Sequence, residues 1–91
     1  MVEIRAHRIK RLHMRSIRRG IKEMDLILSA YAEARLPEMD ITSLDTYDAL
    51  LSESDHDLYQ WVTGQAKPPE TYGSLIADIQ ALLSRRNAGQ T

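Results

Sequence analysis

The chain has 91 residues, enough for one small domain and too few for a second. It is 43% hydrophobic and 27% charged, too apolar for wholesale disorder, and 12 Lys+Arg against 13 Asp+Glu lack the basic excess of a dedicated nucleic-acid binder. The absence of cysteine excludes a disulfide scaffold, a thiolate metal site, a flavin–cysteine link and a thiol nucleophile.

Apolar spacing is helical throughout. A first helix is expected from about Val2 to His13, carried by Val2, Ala6, Ile9 and Leu12, with no strong breaker before the next. From Ile17 the series Ile17, Ile21, Met24, Leu28, Tyr31 steps by four and three residues, one stripe of an α-helix, until Pro37 ends it. A third helix starts near Asp40 or Thr42, either of which can cap it, and runs through Leu44, Tyr47, Leu50 and Leu51. A fourth starts at Ser54, with Asp55 and Asp57 at its positive end, carries Leu58, Trp61 and Val62, and stops at Gly64 as a left-handed cap. After Pro68-Pro69 a fifth runs from about Thr71 to Arg86, with Leu75, Ile79, Leu82 and Leu83 inward. Nothing reads as a strand. The expected fold is all-α, a small five-helix bundle formed by a single domain over residues 1–86 with a polar tail at 87–91. No apolar run approaches the roughly 18 residues of a membrane span, so no membrane insertion is expected.

The near-zero net charge is unevenly laid out. Residues 1–22 hold eight Lys/Arg and one acid, whereas residues 23–57 hold ten acids and one base, Arg35. Either the two segments attract each other within the fold, or the basic arm meets an anionic partner.

Gly20 stands out because it falls inside the strongest helical pattern, where glycine costs about 1 kcal/mol relative to alanine. On a helical wheel Ile17, Ile21, Met24 and Leu28 form the core face. Arg8, Arg11, Arg15, Arg18 and Lys22 lie largely opposite as a solvated basic face if the helix is continuous. Between them runs a strip of Ser16, Arg19, Gly20, Glu23, Leu26, Ile27 and Ala30. Two readings of that strip are open. Arg19 and Glu23 form a weak i,i+4 surface pair beside residues packed on a neighbouring helix, or the strip is an interface that another backbone approaches at Gly20.

Other candidates are weaker. His7, His13 and His56 do not have metal-ligand spacing. Trp61, Tyr59 and Tyr47 read as core or core-edge residues, and Asp57 as a helix-start acid with a partner contact as the alternative. No nucleophile–base pair, phosphate loop or paired carboxylates stand out, so the chain does not read as an enzyme.

Two runs carry a family resemblance: Arg18-Arg19-Gly20-Ile21-Lys22-Glu23-Met24-Asp25-Leu26, and Asp55-His56-Asp57-Leu58-Tyr59-Gln60-Trp61. Arg19, Gly20 and Glu23 meet an Arg-Gly-x-x-Glu motif; Asp57, Leu58, Tyr59 and Trp61 meet an Asp-Leu-(Tyr/Phe)-x-Trp run. With the Pro-rich break after Gly64, the chain resembles the succinate dehydrogenase assembly factor family, the flavinylation chaperones, from about Arg8 to Leu83. His56 departs from the proline that many members carry, a change a first helical turn tolerates.

The resemblance implies a five-helix bundle that binds the flavoprotein subunit of succinate dehydrogenase and promotes covalent attachment of FAD to one of its histidines. The related fumarate reductase flavoprotein is a second client that it leaves open. It places the partner-binding face at Arg19, Gly20 and Glu23, with Arg18, Leu26, Ile27 and Asp57 around them. No FAD is expected to be bound stably by this chain, which would act on the partner's flavin, and the free protein is expected to be a monomer, although the sequence itself is silent on both points. A first helix starting almost at Met1 leads to the expectation of a bacterial cytoplasm rather than a mitochondrial matrix. The alternative from the basic first 22 residues is a nucleic-acid-binding or antitoxin-like regulator, with a membrane-surface N-terminal helix as a third reading.

Overall fold

Helix-forming stripes, three capping signals and two proline breaks produce five helices in the computed structural model, which describes residues 4–17 and 19–88. They are α1 (Arg5–Ser16), α2 (Lys22–Arg35), α3 (Ile41–Leu50), α4 (Asp55–Val62) and α5 (Gly73–Ala88). Single 3₁₀ turns at Leu36–Glu38 and Glu70–Tyr72 precede α3 and α5. No strand occurs among the described residues, and none of their helices is long and apolar enough to cross a membrane. The fold is the expected small all-α bundle.

The caps lie where the sequence puts them. Asp40 accepts the Ser43 N–H at 2.8 Å to open α3, and Ser54 accepts the Asp57 N–H at 3.2 Å to open α4. The Ser43 N–H also holds the Asp40 carboxyl below the usual carboxylate range, because it bonds the charged form. Gly64 follows α4 with φ of 81°, the left-handed conformation that favours glycine. The amide of Gln80 on α5 donates to the carbonyls of Trp61 and Val62 at 3.1 and 3.2 Å, closing the other end of α4.

The core gathers Leu12 of α1, Met24, Leu28 and Tyr31 of α2, and Leu44, Tyr47 and Leu50 of α3. Leu58, Trp61 and Val62 of α4 join Ile76 and Ile79 of α5 on its other side. The Tyr31 and Tyr47 rings lie 5.8 Å apart, centroid to centroid, and Trp61 lies 5.9 Å from Tyr72. Ser16, fully buried, donates to or accepts from the Tyr47 hydroxyl at 2.6 Å and bonds the Leu12 carbonyl at 2.8 Å, so this polar pair is satisfied inside the core. Burial pushes the Tyr47 hydroxyl up to about 12.

Several boundaries are corrected. The first helix extends to Ser16, beyond His13, while its expected start at Val2 lies outside the described residues. The stripe from Ile17 to Tyr31 is not one helix: the chain leaves helical geometry at Ile17 (φ −101°, ψ 0°) and is extended at Ile21 (φ −116°, ψ 125°) before α2 begins. Gly20 therefore sits in a loop, where its helical penalty does not arise. Ile17 and Ile21 are half-buried, whereas Met24, Leu28 and Tyr31 are buried as expected. In α5, which continues to Ala88, Ile76 and Ile79 point inward, and Leu75, Leu82 and Leu83 pack at the core's edge. Residues 89–91 of the expected tail lie outside the described residues.

Candidate functional site

The α1–α2 loop is held by carboxylates from two helices. Asp55, the first residue of α4, accepts the Arg19 Nε–H on Oδ1 at 2.7 Å and the Gly20 backbone N–H on Oδ2 at 2.5 Å. Asp25, in the first turn of α2, accepts the Arg19 backbone N–H at 3.4 Å. Two backbone donors released by the helix break are thereby paired. The rest of the Arg19 guanidinium donates to the carbonyls of Arg15 (3.3 Å), Leu51 (3.1 Å) and Glu53 (3.4 Å). Arg15 lies in the last turn of α1 and Leu51 follows α3, so one cation serves the negative ends of two helices.

The Arg19 and Asp55 side chains are 10% and 19% exposed, which shields the pair from solvent screening. Hydrogen bonds to charged groups contribute about 1.5–3 kcal/mol each, but desolvation of both ions offsets much of that gain. A Cβ built on Gly20 would lie 3.0 Å from Asp55 Oδ2. Gly20 is itself exposed, so a methyl group there meets this one carboxylate oxygen, which would have to give by a few tenths of an ångström.

The other half of the motif faces outward. Glu23 is exposed in the first turn of α2, at the end of the helix dipole that favours an acid, and forms no ion pair with the described residues. One turn on, Leu26 is 63% exposed. It borders a shallow groove of about 420 Å³ that Ala30, Glu33, Ala34 and Leu82 also line. Ile27 instead turns half-buried against the core. Asp57 is half-buried beside the Ser54 cap, and Arg18 lies outside the described residues. The structure therefore separates the expected site residues into an internal clamp, Arg19 and Gly20 on Asp55, and an external edge, Glu23 and Leu26. The i,i+4 pair of Arg19 with Glu23 is absent among the described residues, because the two do not share a helix.

The expected solvated basic face is also corrected. Arg8 bonds Asp45 at 2.5 Å and lies 3.8 Å from Asp48; Arg11 lies 3.6 Å from Asp48, and Arg15 pairs with the same carboxylate. Arg5 donates to the Pro37 carbonyl at 3.2 Å and to that of Met39. The opposed charge segments meet as α1 against α3, so the basic arm does not stand free for a nucleic acid. The histidines are dispersed, and the described residues contain no group of three or more His, Asp or Glu that could hold a metal.

A second polar cluster joins α2 to α5. The Tyr31 hydroxyl donates to Asp78 at 2.7 Å and Arg35 Nε to the same oxygen at 3.3 Å, at the wall of an open cleft of about 650 Å³ between α2, α3 and α5. Burial first, and then the Asp78 carboxylate, push the Tyr31 hydroxyl far above its ordinary range, fixing it as a donor.

Asp55 is the residue that sequence reasoning placed only as a favourable helix-start acid. Its signal was present in the opposed charge segments, but nothing local names Arg19 as its partner.

The arrangement is a five-helix bundle with a clamped loop beside an exposed acidic and apolar edge. The chain belongs to the family described as flavinator of succinate dehydrogenase, whose model matches residues 10–83. It is 39% identical over 79 residues to the mitochondrial succinate dehydrogenase assembly factor 2 of Schizosaccharomyces japonicus, covering 85% of this chain and 55% of that protein. The protein of the same name from Schizosaccharomyces pombe is 38% identical over 72 residues (79% and 52%), and that of Komagataella phaffii 46% over 86 residues (89% and 45%). The chain spans about half the length of these relatives. All three carry "mitochondrial" in their names, which corrects the expectation of a bacterial cytoplasm: the similarity points to mitochondria. A first helix near Met1 has no bearing on compartment in a chain that spans half of its relatives.

Proposed function

We propose that this chain is an assembly chaperone that binds the flavoprotein subunit of succinate dehydrogenase and promotes covalent attachment of FAD to it. The observation that carries the reading is the family match over residues 10–83, a span that includes both the clamp and the exposed edge. Glu23 and Leu26 make the contact, Gly20 and Ile27 border it, and Arg18 and Asp57 flank it. Arg19 acts from behind, through the loop. An exposed glutamate beside an exposed leucine suits a partner surface with a basic group next to an apolar patch.

The bond-forming chemistry stays with the flavoprotein and its flavin. This chain is not an enzyme and holds no FAD stably; it favours the partner conformation in which attachment proceeds. It is a monomer when free, binds no nucleic acid and inserts into no membrane. The fumarate reductase flavoprotein, with the same type of subunit, is a second client. Deletion of the gene followed by in-gel flavin fluorescence of the succinate dehydrogenase flavoprotein tests the reading. Loss of covalent flavin, restored by the wild-type gene, is expected; undiminished fluorescence and enzyme activity would overturn it.

A further inference from the structure

We infer that Asp55 is a positioning residue of the docking edge, acting through Arg19 and Gly20 and not by contact with the partner; this rests on the functional reading above. Its carboxylate is the one group that grips both residues, the Arg19 guanidinium with Oδ1 and the Gly20 N–H with Oδ2. Arg19 in turn ties the loop to the ends of α1 and α3 through the Arg15 and Leu51 carbonyls. Two residues beyond Gly20 the first turn of α2 begins, with Glu23 and Leu26 exposed upon it. The N-cap position of α2, Ile21, has no side-chain cap of its own. The core holds the axis of α2 through Met24, Leu28 and Tyr31, and the clamp on Arg19 and Gly20 fixes the chain where it enters the first turn. A contact surface held in its bound geometry before the partner arrives loses less freedom on binding.

The geometry also explains the residue types. A carboxylate has two acceptor oxygens, while an asparagine amide has one and presents donors on the other side. Asp55→Asn can thus serve Arg19 or Gly20, but not both. A glutamate keeps both acceptors and the charge on a longer arm.

The test compares wild type, Asp55→Asn and Asp55→Glu in three measurements: helix content, amide hydrogen exchange at Gly20 relative to Leu28, and affinity for flavoprotein subunit lacking covalent flavin. For Asp55→Asn, helix content and Leu28 exchange should be unchanged, Gly20 exchange at least about tenfold faster, and binding about tenfold weaker. Asp55→Glu should recover much of both losses. A general loss of stability would instead speed Leu28 along with Gly20 and would overturn a positioning role. Unchanged Gly20 exchange, or wild-type affinity despite a freed Gly20, would also overturn it. If the wild-type chain itself does not bind the flavoprotein, the functional reading fails; if it binds and Asp55→Asn binds equally well, only the inference fails.

Discussion

The two halves of the Arg-Gly-x-x-Glu motif behave differently. The Arg19 guanidinium donates to Asp55 of α4 and to the carbonyls of Arg15, Leu51 and Glu53, and the Gly20 N–H donates to the same aspartate from an exposed loop. Glu23, and Leu26 beyond it, face solvent with no ion pair among the described residues and 63% exposure of the leucine. A short motif need not be a patch: one half can build the support on which the other is displayed. The contrast separates stability from binding, and substitutions on each side should separate them too.

The largest effect is expected from Arg19→Ala. It leaves the shielded Asp55 carboxylate without its cation and three carbonyls without a donor, a loss of about 2–4 kcal/mol in urea unfolding, with weakened partner binding as a consequence. Gly20→Ala comes next: the new Cβ must push Asp55 Oδ2 from 3.0 Å, at a cost of about 1–2 kcal/mol in the same measurement. Glu23→Ala and Leu26→Ser should change stability by less than about 0.5 kcal/mol, because both side chains are exposed. Their effect belongs to binding, as at least a tenfold loss of flavoprotein affinity by calorimetry. Stability losses as large as that of Arg19→Ala would collapse the contrast between the halves. The smallest effect is that of salt on the unaltered chain. Raising salt to about 1 M should lower stability by no more than about 1 kcal/mol, mainly through the partly exposed pairs of Arg8 and Arg11 with α3, and should leave the Arg19–Asp55 pair in place.

How much of this was legible in the sequence depended on the range of each interaction. Asp40, Ser54 and Gly64 announce helix ends because capping acts within three or four residues, and all three hold. The break between Ile17 and Ile21 was hidden because these two residues keep helical spacing across it. The carboxylates that take the two freed backbone N–H groups are Asp25, for Arg19, and Asp55, for Gly20, and the second lies far along the chain. For the same reason Gly20 was noticed as anomalous without its neighbour being named: the atom nearest its missing side chain is Asp55 Oδ2, and the glycine itself stays exposed. The wheel set Leu26 off the core face but left it open whether a neighbouring helix covers it; the off-core position holds because Leu26 and Met24 both lie within α2, and the residue is exposed. In α5 the apolar residues are dense enough that the pattern alone did not choose Ile76 over Leu75.

The hydrogen bonds from Gln80 carry a consequence for how the protein is made. α4 has only eight residues, too few to persist alone in water, and its C-terminal end is closed by an amide from α5, which is synthesised after it. Until α5 docks, α4 keeps its local caps at Ser54 and Gly64 but lacks the Gln80 bonds that tie its C-terminal end to the bundle. The short helix that carries Asp55 is thus tied into the bundle only after synthesis has passed Gln80.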